Sequence, residues 1–260
     1  MDAAGNIYTA NGGSNTVSKI TPDGTSSILG TTGNRPKIIA IDAAGNIYTA
    51  NRDSNTVSKI TPDGTSNIFG ATGSSPVGIA IDAVGNVYTA NVGSSDVSKI
   101  TPDGTSSILG TTGDFPQLLA TDAAGNIYIA NTNSRNVSKI TPDGTSTILG
   151  ATDIGPNGIE VDADGNVYTA NTNSNDVSKI TPDGTSTIFG TTGDSPQFLV
   201  LDADSNVYIT NRGSDNVSKI TPAAPAPAST ATPVPVGPLW LLGIMAGLLS
   251  LVGMSKFHKT

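Results

Sequence analysis

Acid–base or nucleophilic chemistry in this chain has few residues to draw on. Its 260 residues contain one glutamate, Glu160, one histidine, His258, and no cysteine. Without Cys there is no thiolate nucleophile, no disulfide framework and no Cys-ligated zinc or iron–sulfur site. A single His near the C-terminus excludes a His-based triad or a multi-His metal site. Proton transfer is left to Asp, Lys, Tyr and Glu160. Composition therefore predicts a protein that is not an enzyme and that carries no cofactor. Thirteen Lys and Arg against 21 Asp and Glu give a net charge of -8, which argues against a nucleic-acid partner, since such binders carry a basic face.

The remaining ionisable groups recur at fixed spacing. Asp2, Asp42, Asp82, Asp122, Asp162 and Asp202 each precede a Gly-Asn or Ser-Asn pair, and Asp23, Asp63, Asp103, Asp143 and Asp183 sit in Pro-Asp-Gly. Calcium binding is one chemistry for such rings, but each site offers one or two oxygens where calcium takes about six to eight. The plainer reading is an Asp accepting N–H bonds inside its own turn. All six tyrosines, Tyr8, Tyr48, Tyr88, Tyr128, Tyr168 and Tyr208, fall at one position per unit. They suit a sugar-stacking platform or, more simply, packing between units. Lys19, Lys59, Lys99, Lys139, Lys179 and Lys219 form a similar series, either an anion-binding ring or side chains that snorkel to water.

These residues belong to a forty-residue repeat. V-S-K-I-T-P begins at Val17, Val57, Val97, Val137, Val177 and Val217. Each unit reads as four short strands. In the second, strand A lies around Ile38–Ile41, strand B at Ile47–Ala50, strand C at Val57–Thr61 and strand D at Ser66–Phe69. The runs are rich in Ile, Val, Thr and Tyr, with Gly, Pro, Asn and Asp between them. Four strands per roughly 40 residues predict an all-β, six-bladed β-propeller of four-stranded antiparallel blades over residues 1–221. The motif P-x-x-I-A-I-D-A-x-G-N-x-Y-x-A-N…V-S-K-I-T-P-D-G resembles the NHL-type repeat, also found in streptogramin-lyase-like propellers. The resemblance covers residues 2–221 and implies the propeller, a fold that hosts binding proteins and several enzymes. Gluconolactonase-like propellers hold a divalent metal with a Glu, an Asn and an Asp, which would implicate Glu160, Asn157 and Asp162. A streptogramin-lyase-like elimination depends on a His, and the propeller region has none.

The units supply six B and six C strands but five A and five D strands. A missing D and A would be contiguous just upstream of Met1, which aligns with the strand A residues Ile41 and Ile81. The expectation is an internal Met read as a start, with roughly 17 further residues upstream. Composition then changes at Pro222. Residues 222–238 form a Pro/Ala-rich linker, extended over about 50 Å. Residues 239–254 carry no charge and read as a hydrophobic helix, and residues 255–260 are a basic tail. A short apolar run followed by Lys256 and Lys259 reads as a membrane anchor or a sorting signal. It places the propeller outside the cytoplasm, at a bacterial cell surface or in a periplasm.

The unit-to-unit differences point to one face. The A–B and C–D turns are nearly invariant, whereas the B–C and D–A loops vary. Loops on a rigid scaffold are where binding resides, although drift alone produces the same contrast. The candidate ligand-binding side chains are Arg35, Arg52, Phe115, Asn133, Arg135, Asn157 and Arg212, with Glu160, replacing Ala40, Ala80, Ala120 and Val200, as a weak metal candidate. The sequence thus predicts a surface-tethered binding or adhesion module with a protein or glycan partner on its variable face. The alternative is a metal-dependent lactonase-like hydrolase or lyase with Glu160 near the central channel.

Overall fold

A computed structural model describes residues 1–222. The expected hydrophobic helix at 239–254 lies outside the described residues. Among them are 22 strands in six antiparallel sheets. The first blade comprises β1 (Ile7–Asn11), β2 (Thr16–Ile20) and β3 (Ser26–Thr31). The second comprises β4 (Pro36–Ile41), β5 (Ile47–Asn51), β6 (Thr56–Ile60) and β7 (Ser66–Ala71), paired in chain order. The next three blades repeat this pattern, and the sixth has three strands, β20 (Pro196–Leu201), β21 (Val207–Asn211) and β22 (Asn216–Ile220).

Strand C ends one residue earlier than the sequence suggests. Thr61 leaves it because its N–H donates to Thr65 O and its hydroxyl to Asp63. Strand D runs two residues further, to Ala71, because a bulge absorbs Phe69: Ser58 pairs with Ile68 and Val57 with Gly70.

The Asp series serves the turns. Asp42 Oδ1 accepts from the N–H groups of Ala44 and Asn46, at 3.0 and 2.9 Å. Asp42 Oδ2 accepts from Asn46 Nδ2 and from the Tyr48 hydroxyl, at 2.8 and 3.1 Å. Burial works to raise the Asp42 pKa, but these hydrogen bonds outweigh it and hold the carboxyl below its usual value. Gly45 adopts φ 81 in this turn, whereas its counterpart Ser205 is forced to φ 59. Tyr48, Tyr88, Tyr128 and Tyr168 pack between blades, and the strand C lysine of the same blade lies over each, with Lys59 Nζ 5.5 Å from the Tyr48 ring centroid.

Five apolar clusters fill the five seams between consecutive blades. Val57 and its equivalents face the next blade, and Ile47 and its equivalents face the preceding one. The outward faces of the two end blades are open. Val217 is 64% exposed and Ile7 50%, whereas Val57 and Ile47 are fully buried. Among the described residues, no helix is long and apolar enough to cross a membrane.

Candidate functional site

Inner strands of neighbouring blades approach closely. A Cβ on Gly158 would meet the β20 backbone, 3.1 Å from both Leu199 N and Phe198 Cα. Gly158 therefore lets β16 (Pro156–Val161) lie against β20. Two residues on, Glu160 occupies the position at which Ala40, Ala80 and Ala120 pack against the following blade. It pairs with Tyr168 across the sheet. Burial pushes its carboxyl above the ordinary glutamate value. Among the described residues, the only salt bridge is that of Arg35 with Asp53, and no hydrogen bond reaches the Glu160 carboxylate. A half-buried carboxyl without a compensating cation holds its proton more tightly than an exposed glutamate, and its carboxylate form is the stronger base for it.

The metal trio does not assemble. Asp162 Oδ1 accepts from the Asp164 and Asn166 N–H groups, and Oδ2 from Asn166 Nδ2 and the Tyr168 hydroxyl. Its oxygens are committed to the same turn that Asp42 makes in the second blade. No group of three His, Cys, Asp or Glu with metal-binding geometry occurs among the described residues.

A second carboxyl group in the fifth blade escaped the sequence reading. Asp153 stands where the other D–A loops have Gly33, Gly73, Gly113 and Gly193. A Cβ at this position points at the side chain equivalent to residue 176: at Gly33 it would lie 2.9 Å from Thr56 Oγ1, and at Gly193 2.9 Å from Asn216 Oδ1. Asp153 is thereby brought against Asp176, at the start of β18 (Asp176–Ile180), which is only 6% exposed. Burial, and then the nearby Asp153, raise the Asp176 pKa, although Asn171 donates to Oδ1 at 2.6 Å. In the other D–A loops, a serine hydroxyl of the next blade accepts the following N–H, as Ser54 does from Asn34 at 3.1 Å. Here the Ile154 N–H turns to Asp153 Oδ1 at 2.8 Å, and the Ser174 hydroxyl loses the N–H donor that its counterparts have. The signal in the sequence is a single Gly-to-Asp change in the D–A loop that enters the fifth blade.

The predicted loop residues lie on the face shared by the B–C and D–A loops. These loops are zipped together: Arg52 N donates to Arg35 O at 3.1 Å, Thr132 N to Phe115 O at 3.1 Å, and Arg212 N to Ser195 O at 3.0 Å. Arg35, Phe115 and Arg135 take φ of 56, 60 and 52, in the left-handed region, which costs a residue with a Cβ about 1–2 kcal/mol. Phe115 is 40% exposed. Arg212 lines a groove on the open face of the sixth blade with Phe198 and Val217. Asn133 N donates to Asp114 O, while Asn157 lies on β16, three residues before Glu160. The structure does not bring the seven residues to one point, because they are distributed over successive blades. Further grooves lie on the opposite, constant face, between the A–B turns of adjacent blades, where Asp82, Tyr88, Lys99 and Asp122 line one of them.

No protein-family model matches the chain, and no curated protein matches it. Solved structures do. Virginiamycin B lyase from Staphylococcus aureus superposes with a TM-score of 0.72 at 16% identity, over 86% of this chain and 83% of that one. A streptogramin B lyase gives 0.71 at 14% identity, over 86% and 82%. A gluconolactonase from Xanthomonas campestris gives 0.62 at 17% identity, over 80% of each chain. At these identities the likeness shows the fold, a lyase-like β-propeller. It also corrects the expectation, drawn from composition, that the protein is not an enzyme. The propellers it resembles are a lyase and a lactonase, so a chain poor in His and Glu shares its architecture with catalysts.

Proposed function

We propose that this protein is a propeller enzyme of the lyase or lactonase-like hydrolase class, with Glu160 as its acid–base residue. The observation that carries this reading is the Glu160 carboxyl itself. It is half-buried, has no hydrogen-bond or salt-bridge partner among the described residues, is raised in pKa by that burial, and is set on an inner strand where the other units place Ala or Val. A carboxyl tuned in this way takes a proton from a carbon beside a carbonyl, or from the water that opens a lactone. Such a group contributes about 10²–10⁴-fold to rate. Similarity to enzymes that include a lyase and a gluconolactonase supports the same reaction classes. No metal step is assigned, because Asp162 is held in its turn.

The test is a panel of simple lactones and cyclic depsipeptide lactones offered to the full chain in detergent, with ring opening followed by mass spectrometry. Hydrolysis adds the mass of water and elimination does not, so the products distinguish the two classes. The rate should fall on acidification as Glu160 takes up its proton. A chain that opens none of these rings contradicts the proposal.

The uncharged run at 239–254 and the basic tail support a membrane-anchored enzyme with its propeller on the extracytoplasmic side. Protease accessibility of the propeller on intact cells tests this. Protection that persists until the membrane is broken opposes it.

A further inference from the structure

Thirteen residues of the chain are Lys or Arg. Six are the strand C lysines, five of them over tyrosine rings, and two, Lys256 and Lys259, lie in the tail. Of the five left, Arg35, Lys37, Arg52, Arg135 and Arg212, three belong to the second blade and the loop that enters it. The fold gathers those three. Arg35 ends the D–A loop, Lys37 is the second residue of the inner strand β4, and Arg52 opens the B–C loop. Backbone bonds from Arg52 N to Arg35 O and from Asp53 N to Asn34 O, at 3.1 and 3.2 Å, lock the two loops together. Arg35 N is fixed by Asn15 Oδ1 at 2.8 Å. One acid answers three cations: Asp53 Oδ2 lies 3.6 Å from Arg35 Nη1, with both side chains half exposed. Lys37 is partly buried, and burial, followed by the fields of Arg35 and Arg52, holds its pKa below the usual lysine value. Equivalent positions in the third blade are Ser75, Val77 and Val92, and in the fourth Phe115, Gln117 and Thr132. The scaffold does not require cations here.

We propose that Arg35, Lys37 and Arg52 form a binding site for a small anion bearing carboxylate or phosphate groups. Two guanidinium forks on locked loops and an ammonium on the adjoining strand match the planar or tetrahedral oxygens of such a group. Their mutual repulsion in the empty site is relieved when the anion binds. The excess of two positive charges stands out against a chain of net charge -8, so it also concentrates anions at one edge of the variable face. The site stands independently of Glu160.

Calorimetry of the full chain in detergent, with inorganic phosphate in one arm and malonate in the other, tests this and distinguishes the two oxygen geometries. Saturable binding to one or both is expected, weakening as salt is raised. Lys37→Gln should weaken it by about tenfold, the loss of one charge-assisted hydrogen bond, and the triple variant with Arg35→Gln and Arg52→Gln should abolish it. Asp53→Asn removes the competing carboxylate and should tighten binding. It also retains the three cations, so it remains informative if the triple variant misfolds. Arg135→Gln and Arg212→Gln should leave binding unchanged. No saturable binding of either anion, binding that survives in the folded triple variant, or equal losses at Arg135 and Arg212 would each overturn the proposal.

Discussion

The second and fifth blades place opposite chemistry on one frame. Where the second has Gly33, Lys37, Ala40, Arg52 and Thr56, the fifth has Asp153, Asn157, Glu160, Thr172 and Asp176. Strand registers, Asp-capped turns and Tyr–Lys stacks are shared. One blade gathers cations around a loop pair, and the other gathers carboxyls at a seam and on the inner strand. In a repeat protein the common residues are accounted for by the fold. Function is to be sought where a unit departs from its neighbours at a cost that the fold does not repay. Asp153 deprives the Ser174 hydroxyl of the N–H donor that its counterparts have, and Glu160 is a half-buried acid without a cation beside it.

Exchanging the two blades' residues probes this contrast, and the largest stability effect should come from placing the fifth blade's acid in the second. Gly33→Asp forces a Cβ to within 2.5 Å of Ser54 Oγ and 2.8 Å of Asn51 Nδ2. It should cost about 1–3 kcal/mol in a urea melt, the usual range for overpacking. An unchanged midpoint would mean that the seam is looser than its geometry indicates.

The reverse change, Asp153→Gly, should stabilise the fold at neutral pH by about 1–2 kcal/mol, by removing a like-charge contact and returning Ser174 its N–H partner. The pH dependence follows from Asp176. Its raised pKa means the folded state prefers the protonated carboxyl. That contribution is complete below the unfolded carboxylate value of about 4 and is lost as the pH rises through the raised folded value. The gap between Asp153→Gly and the parent should therefore be wide at pH 7 and narrow on acidification. Parallel curves would show that the two carboxyls do not interact.

Smaller effects test the shared frame. Ser205→Gly removes a left-handed serine and should stabilise by about 1 kcal/mol. Phe115→Gly should gain a similar amount, and any ligand affinity lost with it would mark Phe115 as a contact held against strain. Asp53→Asn breaks an exposed ion pair and should change the unfolding free energy by less than about 0.5 kcal/mol.

Much of this molecule is legible in its sequence, because a forty-residue period fixes the order of strands and one unit explains the rest. The 22 strands, the turn-capping Asp residues and the buried tyrosines follow from it. Blade-specific contacts are harder to read. Asp153 and Asp176 are 23 residues apart, and their contact exists only because a D–A loop packs on the next blade's B–C loop. The gathering of Arg35, Lys37 and Arg52 depends on the same packing. The orphaned Asn131 and Asn211 side-chain oxygens reflect Ile129 and Ile209, which stand where Thr49 and Thr89 donate a hydrogen bond. Composition misled on catalysis because acid–base chemistry depends on where one carboxyl sits. A census of His and Glu carries no information about that placement.

The most direct test is kcat/KM of the parent and of Glu160→Gln on any lactone that the parent opens, with melting temperatures measured alongside. A fall of about 10²–10⁴-fold is expected, with a melting temperature that stays the same or rises because a half-buried acid without a partner has been removed. Turnover that persists undiminished in a folded Glu160→Gln variant would contradict it.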